Sequence, residues 1–342
     1  MHSISAVSRL RFIIALRSFR LGENYVVHYT FPMAIPSFPE FTSVTLDLKS
    51  EMHPKLSLTA DGVSEFTLAG LYLFRERYSY KVSKLEDKTL IISGIQPPHT
   101  AESSAGDSAG EEAKKFFMTP CAVPGRGILL ELFKTHDYWK NISESLLIPE
   151  RGKLEDCGIE FAEDRDNFDY LYLRTDLAEL QGKKYHKKRN LVAKFLKSYT
   201  HEEKPLTPEL IPEAVKILEE WKNNKIGETD YAACMEALRL FTELNLKGMV
   251  FYIDGKPAGW CLGEPNGRGR IFTIHFEKGL DEYKGIYQFI NQAFAASLPE
   301  YFTHINREQD LGDEGLRQAK MTYRPSGFVR KYTGRLVRGI TS

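Results

Sequence analysis

Cysteine is scarce in this sequence. The four present (Cys121, Cys157, Cys234, Cys261) form no CxxC pair and show no His/Cys ligand spacing, so neither disulfides nor a structural zinc is expected, and a reducing, cytoplasmic setting is. Long apolar runs are missing too. Phe12 to Leu16, the apolar core of the first 38 residues, falls far short of the roughly 18 residues that span a bilayer, so no transmembrane segment is expected. Net charge is also absent: 46 basic residues balance 46 acidic ones. That balance gives no general attraction to nucleic acid or membrane, and double-stranded DNA is not expected as a partner. A polyanion must meet a local patch. With 342 residues and 42% hydrophobic content, two modest cores fit better than one large one.

What is present begins with an N-terminal extension, residues 1–38, in which Arg9, Arg11, Arg17 and Arg20 precede the first acid, Glu23. It reads as a poorly ordered segment or a short helix. From Phe41 the pattern becomes regular. A helix is expected from Ser64-Glu65, with Leu68, Leu71 and Tyr72 on one face, followed by strands at Tyr78 to Val82 and Thr89 to Ile95. Gln96 to Lys114, rich in Pro, Ser, Gly and Glu, reads as a loop between strands. Lys115 to Met118 reads as a strand, the residues after Pro124 as a helix, and Ile159 to Ala162 with Asp169 to Leu173 as a strand pair.

Residues Gly182 to Tyr199 carry the main basic patch. Val192, Phe195, Leu196 and Tyr199 share one helical face, while Lys183, Lys187, Lys194 and Lys197 repeat on another, thickened by Lys184, His186, Lys188 and Arg189. A solvated helix face accounts for such a run. Against that, no acid interrupts Gly182 to Thr200, and an anionic small molecule or phosphate-bearing substrate is the ligand such a cluster suits.

The second half is clearer. Thr207 and Thr229 precede two apolar-striped helices, and Asp254-Gly255 marks a two-residue hairpin between strands. Arg270 to Phe276 alternates as a third strand, and Ile286, Phe289, Ile290, Ala293 and Phe294 define a core helix. Then comes the most charged stretch, Asn306-Arg307-Glu308-Gln309-Asp310. Behind it a helix is expected with Leu316, Ala319 and Tyr323 buried on one stripe and Arg317, Lys320 and Arg324 on another. Phe328 to Leu336 reads as one closing strand.

The order helix, helix, three antiparallel strands, helix, strand, helix, strand predicts an α+β fold, a mixed, mainly antiparallel sheet flanked by helices. It resembles the GCN5-related acyltransferase (GNAT) fold, and residues 39–174 read as a degenerate copy of the domain at 175–342. More specifically, Gly182 to Phe195 (GKKYHKKRNLVAKF) and Ile305 to Pro325 (INREQDLGDEGLRQAKMTYRP) resemble a bacterial family related to the C-terminal, aminoacyl-transferring part of phosphatidylglycerol lysyltransferases. The resemblance implies tandem GNAT-like domains. By kinship with lysyl-lipid synthases and peptidoglycan aminoacyltransferases, it also implies transfer of an aminoacyl or acyl group to an amine or hydroxyl. Acyl-CoA and aminoacyl-tRNA are both implied as donors, with no cofactor certain. The GNAT pyrophosphate turn (Q/R-x-x-G-x-G/A) is poorly kept: Glu282 to Tyr287 begins with an acid and ends in Tyr, and Ala122 to Gly127 keeps two glycines without the leading Gln or Arg.

For such a transfer, Glu308 and Asp310 are the expected bases and Tyr323 the donor to the leaving oxygen. Substrate contacts are expected from Lys183, Lys184, His186, Lys187, Arg189 and Asn190 across a cleft from Asn306, Arg307, Arg317, Lys320 and Arg324. An internal ion-pair network tying the last helix to the sheet accounts for the same acids without chemistry. A non-catalytic GNAT-fold module that binds an anionic ligand or partner is the other functional class. His275 and His136 are expected to be packed rather than catalytic.

Overall fold

The computed structural model describes residues 34–97, 112–227 and 229–337. The arginine-rich start of the 1–38 extension and most of the Gln96–Lys114 loop lie outside the described residues. Asp254 and Gly255 take positive φ (50° and 77°) and turn the hairpin between strands Lys247–Ile253 and Lys256–Asn266 as expected. The latter strand pairs antiparallel with Ile271–Gly279, with a register shift at Leu262/Gly263. A Cβ on Gly263 would lie 1.9 Å from Thr273 O, so only glycine allows that approach.

After this three-stranded meander, helix Ile286–Ser297 buries Ile286, Phe289, Ile290 and Phe294 and returns the chain to His304–Asn306, which runs parallel to Ile271–Gly279. A helix, Glu314–Met321, and a short strand, Gly327–Val329, complete the series. The first half repeats it: antiparallel strands Lys81–Lys84, Leu90–Gln96 and Lys114–Met118, helix Arg126–Phe133, parallel strand Tyr138–Ser143, helix Glu144–Asp156, strand Ile159–Glu163. The molecule is thus α+β, two GNAT-like halves each built on a mixed, mainly antiparallel sheet.

The closing strands depart from the expected boundaries. Asp169–Leu173 does not pair with Ile159–Glu163; it enters the second sheet between His304–Asn306 and Gly327–Val329. The expected strand Phe328 to Leu336 breaks at Arg330. Lys331–Leu336 crosses to the first sheet, between Tyr138–Ser143 and Ile159–Glu163. Each half therefore lends the other one internal strand, and the sheets do not divide at residues 174 and 175. Where the lent strands begin, Lys331 Nζ donates to Asp169 Oδ1 (2.8 Å), with both side chains fully buried, and also pairs with Glu65. Ser64 adds its N–H and hydroxyl to Asp169, each at 2.8 Å.

Candidate active site

Both parallel pairings stop early, and the strands splay. In the second sheet, pairing ends at Thr273 and Asn306, so Ile274 to Lys278 on one side and Arg307 to Gln309 on the other line an opening. In the first sheet it ends at Phe117 and Trp139, freeing Lys140 and Asn141. The two openings face one cleft of about 420 Å³, walled further by Ser64, Glu65, Phe74, Tyr78 and Tyr80. That volume suits a small-molecule group.

Deep in the second-half wall, His275 lies between two carboxylates. Its Nδ1–H donates to Glu308 Oε1 (2.7 Å) and its Nε2–H to Glu264 Oε1 (3.0 Å). Burial alone would discharge the ring; the two carboxylates outweigh it and push its pKa up to about 10, so it is an imidazolium at neutral pH. Glu264 is buried and also accepts the Ala69 N–H, whereas the Glu308 side chain is 23% exposed and lines the cleft. The second Glu308 oxygen accepts no hydrogen bond among the described residues. Glu308 sits at φ 56°, a left-handed conformation held by Asn306 Oδ1, which accepts the Glu308 N–H (2.7 Å). His275 is packed, as expected; Glu264 was not anticipated, and alternation along a strand gives no sign of it.

Asp310, expected as a second base, is a structural hub. Its oxygens accept Arg317 Nη2 (2.8 Å) and Nε (3.0 Å), Tyr170 OH (2.6 Å), Arg165 Nη1 (3.3 Å) and the Gly312 N–H (3.0 Å). Burial would raise its pKa, but the hydrogen bonds, Arg317 first, hold it down at about 2. A carboxylate so saturated has no lone pair for a substrate proton. Arg317 is likewise committed, to Asp310 and Asp166, and Lys320 Nζ donates to the carbonyls of Arg307 (2.7 Å), Glu308 (3.2 Å) and Gln309. Burial lowers the Lys320 pKa to about 8. Asn306, fully buried, donates to Gly62 O (2.7 Å) and Asp169 (3.1 Å). These residues shape the turn; of them Lys320 also lines the cleft, with its ammonium spent on the three carbonyls.

The helix behind the turn therefore docks by its charges. Leu316 and Ala319, expected in the core, are exposed, because Arg317 and Lys320 take the inward face. Tyr323 is buried, yet outside the cleft wall, with Arg307 at 5.3 Å and Lys188 at 3.9 Å over its ring. Burial pushes its hydroxyl up to about 12. Its expected role as donor to a leaving group loses its geometry. Arg324 is exposed.

The basic connector does not face the cleft as expected. Lys183, Lys184, His186, Lys187 and Asn190 are exposed along the start of helix His186–Ser198, and none of them lines the cleft. Lys184 pairs with Asp176 (2.7 Å), and Arg189 donates to the carbonyls of Leu180 and Gly182. Leu196, expected inside, is 45% exposed. Only Lys188 reaches inward, to Tyr323, where burial and Arg307 lower its pKa to about 8. Arg307 itself lines the cleft and pairs with Glu277 (3.2 Å).

Among the described residues no His/Cys/Asp/Glu group could hold a metal, and no helix is long and apolar enough to cross a membrane. Residues 145–334 match the family described as phosphatidylglycerol lysyltransferase, C-terminal. A crystal structure of a conserved protein of unknown function from Bacteroides thetaiotaomicron VPI-5482 covers 87% of this chain and 99% of its own length, at 29% identity and a TM-score of 0.71. The C-terminal domain (DUF2156) of a candidate lysylphosphatidylglycerol synthetase from Agrobacterium fabrum has the same fold. It covers 86% of this chain and 93% of that domain, at 14% identity and a TM-score of 0.58. An uncharacterized protein of Mycoplasmoides gallisepticum is 24% identical over 178 residues, 49% of this chain; the chain spans 56% of that relative's length. The family match takes in more than half of the sequence, including all of the strand lent to the second sheet and most of the one lent to the first, and the chain belongs to the family of the phosphatidylglycerol lysyltransferase C-terminal domain.

Proposed function

We propose that this chain moves an activated aminoacyl or acyl group to an amine or hydroxyl acceptor inside the cleft between its sheets, with Glu308 as general base. The observation that carries this reading is the Glu264–His275–Glu308 chain, which ends at the cleft in a carboxylate with one oxygen free of hydrogen bonds among the described residues. His275 bridges the buried Glu264 to the cleft-lining Glu308 and fixes the orientation of that carboxylate. A proton taken from the nucleophile would pass to the Glu308 oxygen that His275 does not hold.

In the step itself, the acceptor's nitrogen or oxygen bonds to the carbonyl carbon and its proton passes to Glu308. The bond to the donor's leaving oxygen or sulfur then breaks, and that atom takes the proton. Arg307, beside Glu308 on the cleft wall, provides positive potential for the oxyanion that forms between these events.

The donor is an aminoacyl-tRNA or an acyl-CoA. Gly285 opens helix Ile286–Ser297, and a Cβ there would lie 3.2 Å from Leu191 O. Helix His186–Ser198 thus sits close over the turn where GNAT enzymes seat a pyrophosphate, which favours the tRNA donor. The exposed lysines of that same helix suit a polyanion at the surface rather than a group in the cleft.

Turnover of labelled aminoacyl-tRNA and acyl-CoA with a panel of amine and hydroxyl acceptors is the test. Glu308→Gln should lower the rate by about 10²–10⁴-fold, the usual worth of a general base. Full activity in that variant would reject Glu308. Ligand binding without product for either donor would favour the non-catalytic module instead.

A further inference from the structure

The hydrogen-bond registers align the two halves residue by residue. In the second sheet, the two residues after the parallel pairing, Arg307 and Glu308, oppose one residue of the lent strand: Arg307 N–H donates to Tyr170 O (3.0 Å) and Tyr170 N–H to Glu308 O (3.2 Å). In the first sheet, the two residues after the parallel pairing, Lys140 and Asn141, oppose Thr333 in the register shift between Tyr332 and Gly334. Glu308 and Asn141 share the same left-handed backbone, φ 56° and 55°. Such bulges re-aim side chains, and both of these line one cleft. Lys140–Asn141 therefore stands in the first half where Arg307–Glu308 stands in the second.

The two bulges differ in what their side chains meet. Arg307 has Glu277 and Glu308 has His275. Lys140 is 7% exposed yet donates only to Gln96 Oε1 (2.6 Å) among the described residues, between the rings of Tyr78 and Phe116 at 5.3 and 4.9 Å. No carboxylate lies within ion-pair distance of it among the described residues. An ammonium carries three donors, so two remain for something else. Next to it, the Asn141 Oδ1 is buried with no donor among the described residues. Buried polar groups left this way cost stability unless a ligand completes them. Burial also lowers the Lys140 pKa.

We propose that the Lys140–Asn141 bulge is a ligand seat in which Lys140 takes a phosphate oxyanion of the substrate and Asn141 Oδ1 takes a hydroxyl or amine beside it. The inference rests on the cleft being the reaction site. It assigns binding to the first half and chemistry to the second: one bulge holds the phosphate-bearing end while the other handles the proton.

Phosphorus NMR titration with inorganic phosphate, adenosine monophosphate and glycerol phosphate tests the seat. The wild-type protein should bind, Lys140→Arg should keep most of the affinity, and Lys140→Met should lose about tenfold or more. A binding lysine also has a stability signature. Without ligand, Lys140→Met should melt at or above the wild-type temperature, since a buried charge is removed, and phosphate should no longer raise it. If that variant fails to fold, Lys140→Gln is read in its place. Preference for adenosine monophosphate over glycerol phosphate puts a nucleotide end in the seat, and the reverse preference a lipid headgroup; either result supports it. Lys140-dependent phosphate binding without transfer from either donor sinks only the transfer reading. Absence of binding by the wild type, or equal binding by Lys140→Met or Lys140→Gln, overturns the seat.

Discussion

Asp310→Asn separates the structural carboxylate from Glu308, the proposed base. In the folded protein Asp310 is buried against Arg317, Arg165, Tyr170 and the Gly312 N–H. The amide keeps the shape but cancels the charge and turns an N–H₂ toward guanidinium donors. Breaking a fully buried pair costs about 3–5 kcal/mol. Here the guanidinium side is partly hydrated, with Arg317 33% and Arg165 37% exposed, so about 2–3 kcal/mol is expected. The pH dependence follows from the folded pKa of about 2 against the ordinary aspartate value of 3.8. A depressed carboxylate stabilises above its unfolded pKa and loses that contribution as pH falls toward the folded one. At full weight the difference is worth about 2 kcal/mol, and solvent screening brings it nearer to 1. Urea unfolding of wild type and variant at pH 7, 4, 3 and 2.5 should show a gap that is constant above pH 4 and narrows below it. Turnover should survive in folded Asp310→Asn while Glu308→Gln lowers it by about 10²–10⁴-fold. A gap under about 0.5 kcal/mol at pH 7, or one that ignores pH, would refute the hub. Loss of turnover equal to that of Glu308→Gln would return Asp310 to the chemistry.

Two further outcomes are expected. His275 has a folded pKa raised to about 10 from 6.5, so the stability it contributes is complete below about pH 6.5 and is lost as pH rises through 10. Thermal melts from pH 7 to 10 should fall more steeply for the wild type than for His275→Gln, and parallel curves would contradict the imidazolium. Lys331→Met strips the fully buried Asp169 of its cation and should cost about 3–5 kcal/mol, with the double variant Lys331→Met/Asp169→Asn recovering part of it. Denaturant unfolding of the four proteins decides this, and additive losses would show that the pair is not coupled.

Much of the fold was legible because local chemistry announces it. Asp254-Gly255 specifies a hairpin, the spacing of Ile286, Phe289, Ile290 and Phe294 specifies a buried helix, and the charged turn at Asn306–Asp310 was recognisable as the centre of something. Its inner workings were not. Hydrophobic periodicity predicts that a helix docks by Leu316 and Ala319, but Asp310 and the carbonyls of residues 307–309 outcompete them for the inward face by attracting Arg317 and Lys320. Glu264 and His275 lie on adjacent strands, and only the pairing of those strands brings them together. Lys140 occurs once in an otherwise unremarkable strand, and its meaning comes from a register shared with a bulge far along the chain. The lysine run drew attention through density, while the one member that turns inward, Lys188, differs from its neighbours only in helical phase.

The trade of strands between the sheets has a consequence for how such a molecule can vary. Neither half is a separable module: cutting after Leu173 would leave the first sheet with a vacant slot and the second with a strand supplied from outside. The halves cannot hinge apart without tearing main-chain hydrogen bonds, so access to the cleft must come through side chains and loops at its rim. The left-handed turn that carries Glu308 in one half carries Asn141 in the other, so the halves can differ in side chain while each still depends on the other's strand.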